Sequence, residues 1–361
     1  MFRCNFDRNR RNRVDMANRI KVDQFLSAAK TSIIVDVRSQ AEYLQGHIPG
    51  AENIALFDDQ ERAIIGSIFK NSGRTASVLK GLELAGPKLH LFVKRLNALT
   101  DQKEIVVHCW RGGMRSESMA WLFEQAGYSV SVMEGGYKAY RRFIRGCFSR
   151  PVRMVVLGGL TGSGKTEILK TLARKGEQVL DLEQLAFHKG SVFGGLGQPY
   201  QPTNEQFENT IYSEWEKYDP DKPLWIEDES RMIGRVNIPD PLFYQMSNAT
   251  MIMIEMDREE RIRRLVREYS VIQKEELDHA ILKISEKLGG TNTKTAIAAI
   301  ASGDFATAAN LALTYYDKTY THSTRKRLNK NIYNVMLTDD PEKNVSAVLN
   351  SFRSVFHLNT T

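Results

Sequence analysis

Residues 153–166 read RMVVLGGLTGSGKT, an apolar run that passes through a glycine loop into a helical pattern. Residues 159–166 match G-x-x-x-x-G-K-[S/T], the spacing of a phosphate-binding loop, and they lie in the strand–loop–helix context that this motif requires. Glycines let backbone N–H groups converge on phosphate oxygens, and the helix N-terminus adds a favourable dipole. The stretch therefore predicts a phosphate site in an α/β domain, with a glycine-rich turn of no function as the alternative.

The predicted phosphate ligands include one acidic residue outside the loop. Lys165 supplies a point charge, and the Thr166 hydroxyl can hold a magnesium ion. The sequence WIEDES at 225–230 ends another apolar strand, so Asp228 or Glu227 could reach a metal through water; spare carboxylates at a solvated strand end are the alternative. The predicted set is Gly159, Gly162, Ser163, Gly164, Lys165, Thr166 and Asp228.

The loop does not identify the phosphate compound. The helical stretch EERIRRLVREY at 259–269 is consistent with an arginine lid, with a solvated amphipathic helix, or with an RNA-facing surface. We keep the three interpretations open at this stage.

Apolar strands alternate with helical patterns along the rest of the chain, which predicts an α/β fold with two doubly wound parallel sheets. We place the domains at 18–148 and 149–361, the second with helical insertions, because RGCFSRP at 145–151 precedes a new strand. The glycine-rich segment 190–199 is predicted to be a flexible loop. The predicted strands are 32–37, 104–109, 129–134, 153–159, 178–183, 223–229, 250–256 and 334–339. The predicted helices are 22–30, 60–99, 115–126, 137–146, 257–269, 273–288, 294–313 and 341–353.

The composition excludes several classes of protein. The 361 residues carry a net charge of +7 and contain no apolar run long enough to cross a membrane. The basic arm at 1–17 is predicted to be disordered, and contact with nucleic acid is the alternative. Three cysteines cannot form a disulfide framework or a four-thiolate metal site, so we expect no metal centre and a cytoplasmic location.

The sequence HCWRGGMRS at 108–116 places a cysteine directly after an apolar strand and before a helix. The loop from Cys109 to Arg115 is expected to point N–H groups inward, and the helix dipole and Arg115 lower the thiol pKa. Such a thiolate can attack sulfur, selenium or phosphorus, and the loop can bind tetrahedral oxyanions. Cys109, Arg111 and Arg115 are therefore the candidate catalytic residues. A buried structural cysteine, as assumed for Cys147, is the alternative.

The spacing from Cys109 to Arg115 also fits the loop of the protein tyrosine phosphatases. Residues elsewhere in the first half of the chain distinguish that family from a second one. Asp36-Val37-Arg38, Glu42-Tyr43, Gly46 to Ala51 with Asn53, and Glu134 to Tyr137 resemble the rhodanese signature. Residues 18–146 thus look like a rhodanese domain. The Cys-to-Arg loop is one residue longer than in ordinary sulfurtransferases, which disfavours simple thiosulfate sulfur transfer.

A rhodanese domain with this loop, joined to a P-loop domain, resembles the tRNA 2-selenouridine synthase family. The resemblance rests on residues 109–116, 159–166, 182–194 and 227–231. It implies that selenium replaces sulfur in the wobble 2-thiouridine of tRNA, with selenophosphate as donor. It also implies an S-geranylated intermediate made from geranyl diphosphate, and no tightly bound cofactor.

The same resemblance suggests a division of labour between the two loops. Cys109, Arg111 and Arg115 would serve the selenium step, while the P-loop would hold the diphosphate of geranyl diphosphate, with Lys165 on the leaving pyrophosphate. The segment 188–198 could close over the prenyl chain or the flipped base, or be a surface loop.

Charge should dominate tRNA binding, although runs of arginine are often only solvated faces. The candidate RNA-binding residues are Arg141, Arg142, Arg145, Arg325, Lys326 and Arg327. Three rival functions remain: a Cys-dependent phosphatase fused to a P-loop kinase-like domain, a nucleotide-dependent RNA-binding switch, and a thiosulfate sulfurtransferase. The sequence gives no oligomeric state.

Overall fold

The computed structural model describes residues 18–325, 331–338 and 340–357. The basic arm at 1–17 and the RNA-binding candidates Lys326 and Arg327 lie outside the described residues. The chain divides into two compact units, Met1–Arg145 and Gly146–Thr361. Each unit is described by itself below.

The N-terminal unit is built on a parallel sheet. Its order is β1-β5-β4-β2-β3, and each pair of neighbours runs parallel. The described strands are β1 (Asn18–Ile20), β2 (Ile33–Asp36), β3 (Ala51–Asn53), β4 (Glu104–His108) and β5 (Ser129–Met133). The helices are α1 (Val22–Ala28), α2 (Gln40–Gln45), α3 (Asp59–Ala85), α4 (Leu89–Leu99), α5 (Met114–Gln125) and α6 (Gly136–Cys147).

Central apolar strands and one face of each helix form the core of this unit. Val35 and Val107 are fully buried, and Phe123 of α5 packs in the same cluster. Because parallel strands end at the same edge of the sheet, β2 and β4 bring Asp36 and His108 side by side. The loop after β4 therefore starts at the edge where α/β sheets usually bind ligands.

The predicted helix at 60–99 is interrupted twice in the structure. Gly73 has a φ of 81°, which lies outside the helical region and kinks α3. A single 3-10 turn at Gly86–Lys88 then separates α3 from α4. Both breaks occur at glycines that periodicity alone did not mark as helix ends.

The C-terminal unit contains a second parallel sheet with the order β12-β11-β6-β8-β7 and a separate two-stranded hairpin. The described strands are β6 (Met154–Gly159), β7 (Gln178–Leu180), β8 (Leu224–Glu227), β9 (Met232–Ile233), β10 (Val236–Asn237), β11 (Thr250–Glu255) and β12 (Ile332–Met336). The helices are α7 (Lys165–Arg174), α8 (Leu182–Ala186), α9 (Asn204–Trp215), α10 (Asp240–Asn248), α11 (Arg258–Tyr269), α12 (Lys274–Lys283), α13 (Ser285–Leu288), α14 (Gly290–Ser302), α15 (Phe305–Arg325) and α16 (Pro341–His357). The α/β class with parallel sheets is as predicted.

Two hydrophobic clusters support this unit. Val155, Leu157 and Trp225 belong to the cluster around the sheet. A second cluster joins α12, α13, α14 and α15 through residues such as Ile281 and Ala312. Gly303 divides the predicted helix 294–313 into α14 and α15.

The predicted strand at 178–183 was wrong beyond Leu180. The Asp181 side chain accepts a hydrogen bond from the Gln184 N–H at 2.8 Å and starts α8 instead. The helix ends at Phe187, a non-glycine residue in the left-handed region with φ of 50°. That conformation costs a residue with a Cβ roughly 1–2 kcal/mol.

Candidate active sites

The first candidate site is the loop between β4 and α5. Cys109 is 3% exposed, and its Sγ lies 3.2 Å from the Ser116 Oγ on the first turn of α5. The Ser116 Oγ also lies 3.0 Å from the Gly113 carbonyl, so its single proton can point to that oxygen or to the sulfur, and a Cys109 thiolate would accept it. The loop thus presents one sulfur, held in place by the helix that follows it.

The surroundings of Cys109 favour the thiolate. Burial raises the pKa of the thiol, but the hydrogen bond with Ser116, the charge of Arg115 and the backbone N–H groups of Gly113 and Arg111 outweigh burial and lower it. For Cys147 the opposite holds, because burial raises its thiol pKa. The assignment of Cys109 as the reactive thiol and of Cys147 as a structural one stays a prediction, and the two thiol pKa values are shifted in the directions that it requires.

The two loop arginines differ in their partners. Arg115 donates to both carboxylate oxygens of Glu42, at 2.6 and 3.3 Å, in a bidentate pair. Burial raises the pKa of Glu42, but the hydrogen bond and charge of Arg115 hold it below its usual value. Arg111 is exposed. Glu42 therefore offsets the charge of Arg115, and Arg111 offers the less compensated charge to an anion.

The segment 134–137 braces the loop from behind. The Tyr137 N–H donates to the Cys109 carbonyl at 2.8 Å, and the Lys138 N–H donates to the Trp110 carbonyl at 3.0 Å. A Cβ on Gly136 would lie 2.3 Å from the Cys109 carbonyl oxygen and 2.4 Å from the Gly112 nitrogen, so only glycine fits at this position. The first turn of α6 thus satisfies two loop carbonyls.

A buried charged cluster lies beneath the loop. The Arg38 guanidinium pairs with Asp36 at 2.6 Å, donates to the Gly46 carbonyl at 2.7 Å and lies 3.8 Å from the Tyr137 ring centre. Burial lowers the pKa of His108 to about 4, so its imidazole is neutral at pH 7. Asp36, Arg38 and Tyr137 belong to the rhodanese-like signature, and all three side chains are fully buried.

The second candidate site is the P-loop. Gly164 has a φ of 87° and caps α7, which begins at Lys165. The Lys165 Nζ donates to the Gly159 carbonyl at 2.8 Å, across the loop. The Ser163 Oγ is buried without a hydrogen-bond partner among the described residues. This is the geometry expected of a loop that binds phosphate.

Carboxylates surround the Thr166 end of the loop. The Thr166 Oγ1 donates to a Glu183 oxygen at 3.2 Å, and burial raises the pKa of Glu183, Glu227 and Glu229. Within the described ranges no group of three or more His, Cys, Asp or Glu is arranged to hold a metal ion. A magnesium ion would therefore rely on Thr166 and on phosphate oxygens for much of its coordination.

Asp228 has a partner that sequence reasoning missed. The Tyr320 hydroxyl donates to the Asp228 Oδ2 at 2.8 Å and accepts from the Gly159 N–H at 2.9 Å. Tyr320 lies on α15, 161 residues from Gly159. It links the acidic strand end to the first glycine of the loop, and no local sequence signal could have indicated this contact.

The arginine-rich helix α11 packs against the P-loop. Arg261 is 3% exposed, donates to the Thr161 carbonyl at 2.9 Å and pairs with Asp317. Arg264 pairs with Glu167, and a Cβ on Gly164 would lie 2.8 Å from its Nη2. These contacts rule out a wholly solvated helix and place Arg264 at the loop, as an arginine lid would.

Two spaces adjoin the P-loop. One is a cleft of about 1160 Å³ with Lys165, Glu229 and Arg264 among its lining residues. The other is an apolar cavity of about 50 Å³ among α11, α12, α14 and α15. Thr161 of the P-loop is part of the cavity wall, and Phe193, Leu265 and Ala312 are among the rest.

Comparison with known proteins identifies the family. A family model described as the tRNA 2-selenouridine synthase AAA domain matches residues 152–352, more than half of the chain. The chain belongs to the tRNA 2-selenouridine synthase family. A second model, the rhodanese-like domain, matches residues 21–143.

Curated relatives named tRNA 2-selenouridine synthase extend over both regions. The protein from Bdellovibrio bacteriovorus is 38% identical over 65% of this chain and 64% of its own length. The one from Shewanella piezotolerans is 36% identical over 65% of both chains, and the one from Sulfurovum sp. is 33% identical over 72% of this chain and 77% of its own. This chain matches the Bdellovibrio and Shewanella proteins over slightly less than two thirds of their own length.

The RNA-binding candidates of this family member differ in accessibility. Arg141 is only 7% exposed, whereas Arg142 and Arg145 are exposed. Arg325 ends α15. Arg142 and Arg145 therefore offer more surface to a phosphate backbone than Arg141 does.

No helix within 18–325, 331–338 and 340–357 has the length and hydropathy that a bilayer crossing requires.

Proposed function

We propose that the protein replaces sulfur by selenium in the wobble 2-thiouridine of tRNA, using selenophosphate and an S-geranylated intermediate. The observation that carries the proposal is the apolar cavity whose wall includes Thr161 of the P-loop. A nucleotide needs no apolar chamber beside its phosphates, but a prenyl diphosphate has an anionic head and a hydrocarbon tail. The match to the family supports the tRNA substrate.

In the first step the uridine sulfur attacks the C1 carbon of geranyl diphosphate. The carbon–oxygen bond breaks, pyrophosphate leaves, and the uridine loses its N3 proton. Lys165 and the N–H groups at the start of α7 stabilise the negative charge that develops on the leaving group. This step needs no hydrolysis of ATP.

The cavity beside the loop must open to hold the prenyl chain. A volume of about 50 Å³ accommodates only a few water-sized groups. Its walls are apolar helices with small residues such as Ala309 and Ala312, together with Phe193 from the glycine-rich segment. Residues 190–199, all of them described, contain neither helix nor strand. The backbone hydrogen bonds of this segment are local to it, so it could move as a unit and enlarge the chamber once the bond from the Val192 N–H to the Tyr316 hydroxyl breaks.

In the second step selenium from selenophosphate adds to C2 of the geranylated base. The C2–sulfur bond breaks, geranyl thiol leaves, and hydrolysis of the phosphorus–selenium bond releases phosphate. A thioether is the better leaving group, which gives the first step its purpose. The Cys109 loop serves this step, with Arg111 and the Glu42-paired Arg115 beside the phosphoryl group.

Nucleoside mass spectrometry tests the proposal. Purified protein is incubated with tRNA that contains 2-thiouridine, with geranyl diphosphate and selenophosphate added separately and together. We expect a geranyl adduct with the first donor alone and 2-selenouridine with both. Unchanged 2-thiouridine, with folded protein and intact tRNA, would contradict the proposal and return attention to the phosphatase–kinase alternative.

A further inference from the structure

Three segments of the C-terminal unit are fastened together by one side chain. The Gln201 Nε2 donates to the Ala186 carbonyl at 3.1 Å and to the Ile233 carbonyl at 3.0 Å. Its Oε1 accepts from the Arg235 N–H at 2.7 Å. Gln201 thus holds the end of α8, the segment before α9 and the β9–β10 hairpin in fixed positions.

Each of the three segments exposes a side chain suited to nucleic acid. Phe187 is 41% exposed and Tyr200 is 94% exposed. Arg235 is exposed, and its side chain forms no ion pair within the part of the chain that the structure describes. We call Phe187, Tyr200 and Arg235 the aromatic rim.

Phe187 is an unexpected residue at its position. It occupies the left-handed region, where glycine or asparagine would be unstrained. Folding alone would favour either of those residues, and half-exposed phenylalanine gains little from burial. Strained positions of this kind often serve binding.

The rim continues into the P-loop cleft. Lys189 and Gly190 follow Phe187 along the chain and line the cleft, as does Arg231, which precedes the hairpin. Lys189 pairs with Glu268, and Arg231 pairs with Asp240 at 2.5 Å. The rim therefore adjoins the cleft that Lys165 also lines.

We propose that the aromatic rim binds unpaired nucleotides of the tRNA anticodon loop by stacking, next to the cleft that receives the wobble base. This inference rests on the proposed function. A base must be splayed out of its stack to be modified, and exposed aromatic rings replace the lost stacking. Arg235 supplies positive charge for the adjoining phosphates.

Other aromatic side chains of the sequence serve this role less well. Tyr137 and Tyr140 are only 0% and 1% exposed, so their rings are not accessible to a base. Tyr316 lines the apolar cavity, and its hydroxyl accepts a hydrogen bond from the Val192 N–H at 3.0 Å. The rim rings are accessible without rearrangement of a core.

The test measures binding of a synthetic anticodon stem-loop with 2-thiouridine at the wobble position, by fluorescence anisotropy. Tyr200→Ala and Phe187→Asn should each weaken binding at least about fivefold, because base stacking is worth about 1 kcal/mol or more per base. Tyr200→Trp should retain binding. Asparagine tolerates the left-handed conformation, so Phe187→Asn should not lower the melting temperature through strain.

Two controls separate stacking from general effects. Tyr244→Ala removes a ring that is 65% exposed on α10 and should leave binding unchanged. A blunt-ended RNA duplex, which has no unpaired nucleotides, should bind wild type and Tyr200→Ala equally. Arg235→Ala should reduce the slope of log affinity against log salt by about one.

The outcomes distinguish this inference from the function on which it rests. Wild-type conversion of 2-thiouridine, with unchanged loop binding by both rim variants, would overturn the rim alone. Equal weakening by Tyr244→Ala would also overturn it. A wild-type protein that neither binds nor modifies the stem-loop would overturn both.

Discussion

The Cys109 loop and the P-loop use the same architecture for different ends. Each follows a parallel strand and opens a helix, α5 in one case and α7 in the other. The Cys109 loop is complete within a short stretch of chain, with Ser116 and backbone groups around a buried sulfur. The P-loop borders a cleft of about 1160 Å³. One loop encloses a side chain of its own, and the other borders open space.

The difference also appears in the charges. Arg115 is matched by Glu42 before any anion arrives, so the Cys109 loop acquires only modest anion affinity from it. At the P-loop, Lys165 is held by a carbonyl oxygen, which is neutral. The comparison therefore predicts that removal of the sulfur abolishes one reaction and removal of Lys165 cripples the other.

Cys109→Ser should produce the largest effect. Without the thiolate we expect loss of 2-selenouridine formation, while S-geranylation proceeds at the wild-type rate. Both products are measured by nucleoside mass spectrometry on one reaction mixture. The fold is checked by thermal melting. Loss of both products from a folded variant would contradict the separation of the two loops.

Lys165→Ala should have the second largest effect on activity. Loss of one preorganised charge at a leaving group costs about 10²–10³ in rate, and the measured quantity is the rate of geranyl adduct formation. Selenation of tRNA that has already been geranylated should be unaffected. Lys175→Ala, at the exposed end of α7, is the matched control. Selective loss of selenation would reverse our assignment of the P-loop.

The sequence predicts the parts of each site that come from one continuous stretch of chain, and it misses the parts that come from distant helices. The Cys109 loop could be predicted because its ligands are consecutive residues and its strand and helix have clear periodicity. The P-loop glycines and Lys165 were predictable for the same reason. Tyr320 and Arg264 reach the loop from helices far along the chain. Their positions depend on tertiary packing, which a local pattern does not encode.

The elements show the same limit. The alternation of apolar strands located all five strands of the C-terminal sheet but missed β1 and β3 at the two edges of the N-terminal one. It failed at 181–186, where the Asp181 cap turned an apparently continuous strand into α8. It also missed α9 and the β9–β10 hairpin, which are short or weakly patterned. The aromatic rim lies next to these elements, with Phe187 after α8, Tyr200 before α9 and Arg235 between β9 and β10.

A more specific test of the P-loop uses a substitution that fills the apolar cavity beside it. Ala309 lines the cavity on α15, and Ala309→Leu should raise the KM for geranyl diphosphate about tenfold, because the added side chain competes with the prenyl tail for volume. Inhibition by inorganic pyrophosphate should be unchanged, since the phosphate ligands are intact. Ala306→Leu, on an exposed face of the same helix, is the control. If Ala309→Leu weakened inhibition by pyrophosphate as much as it raised the KM for geranyl diphosphate, the prenyl tail would not lie in this cavity.

The smallest expected effect is a change in the pKa of Cys109 when its hydrogen-bond partner Ser116 is replaced. The Ser116 hydrogen bond favours the thiolate, so Ser116→Ala should raise the pKa of Cys109. Because the folded-state pKa is lowered in the wild type, the thiolate persists below the ordinary titration range of a thiol. The profile of Cys109 alkylation rate against pH should therefore move to higher pH in the variant. Ser118→Ala, on the exposed side of α5, should leave the profile in place. An unshifted profile for Ser116→Ala would show that Arg115 and the loop N–H groups alone sustain the thiolate.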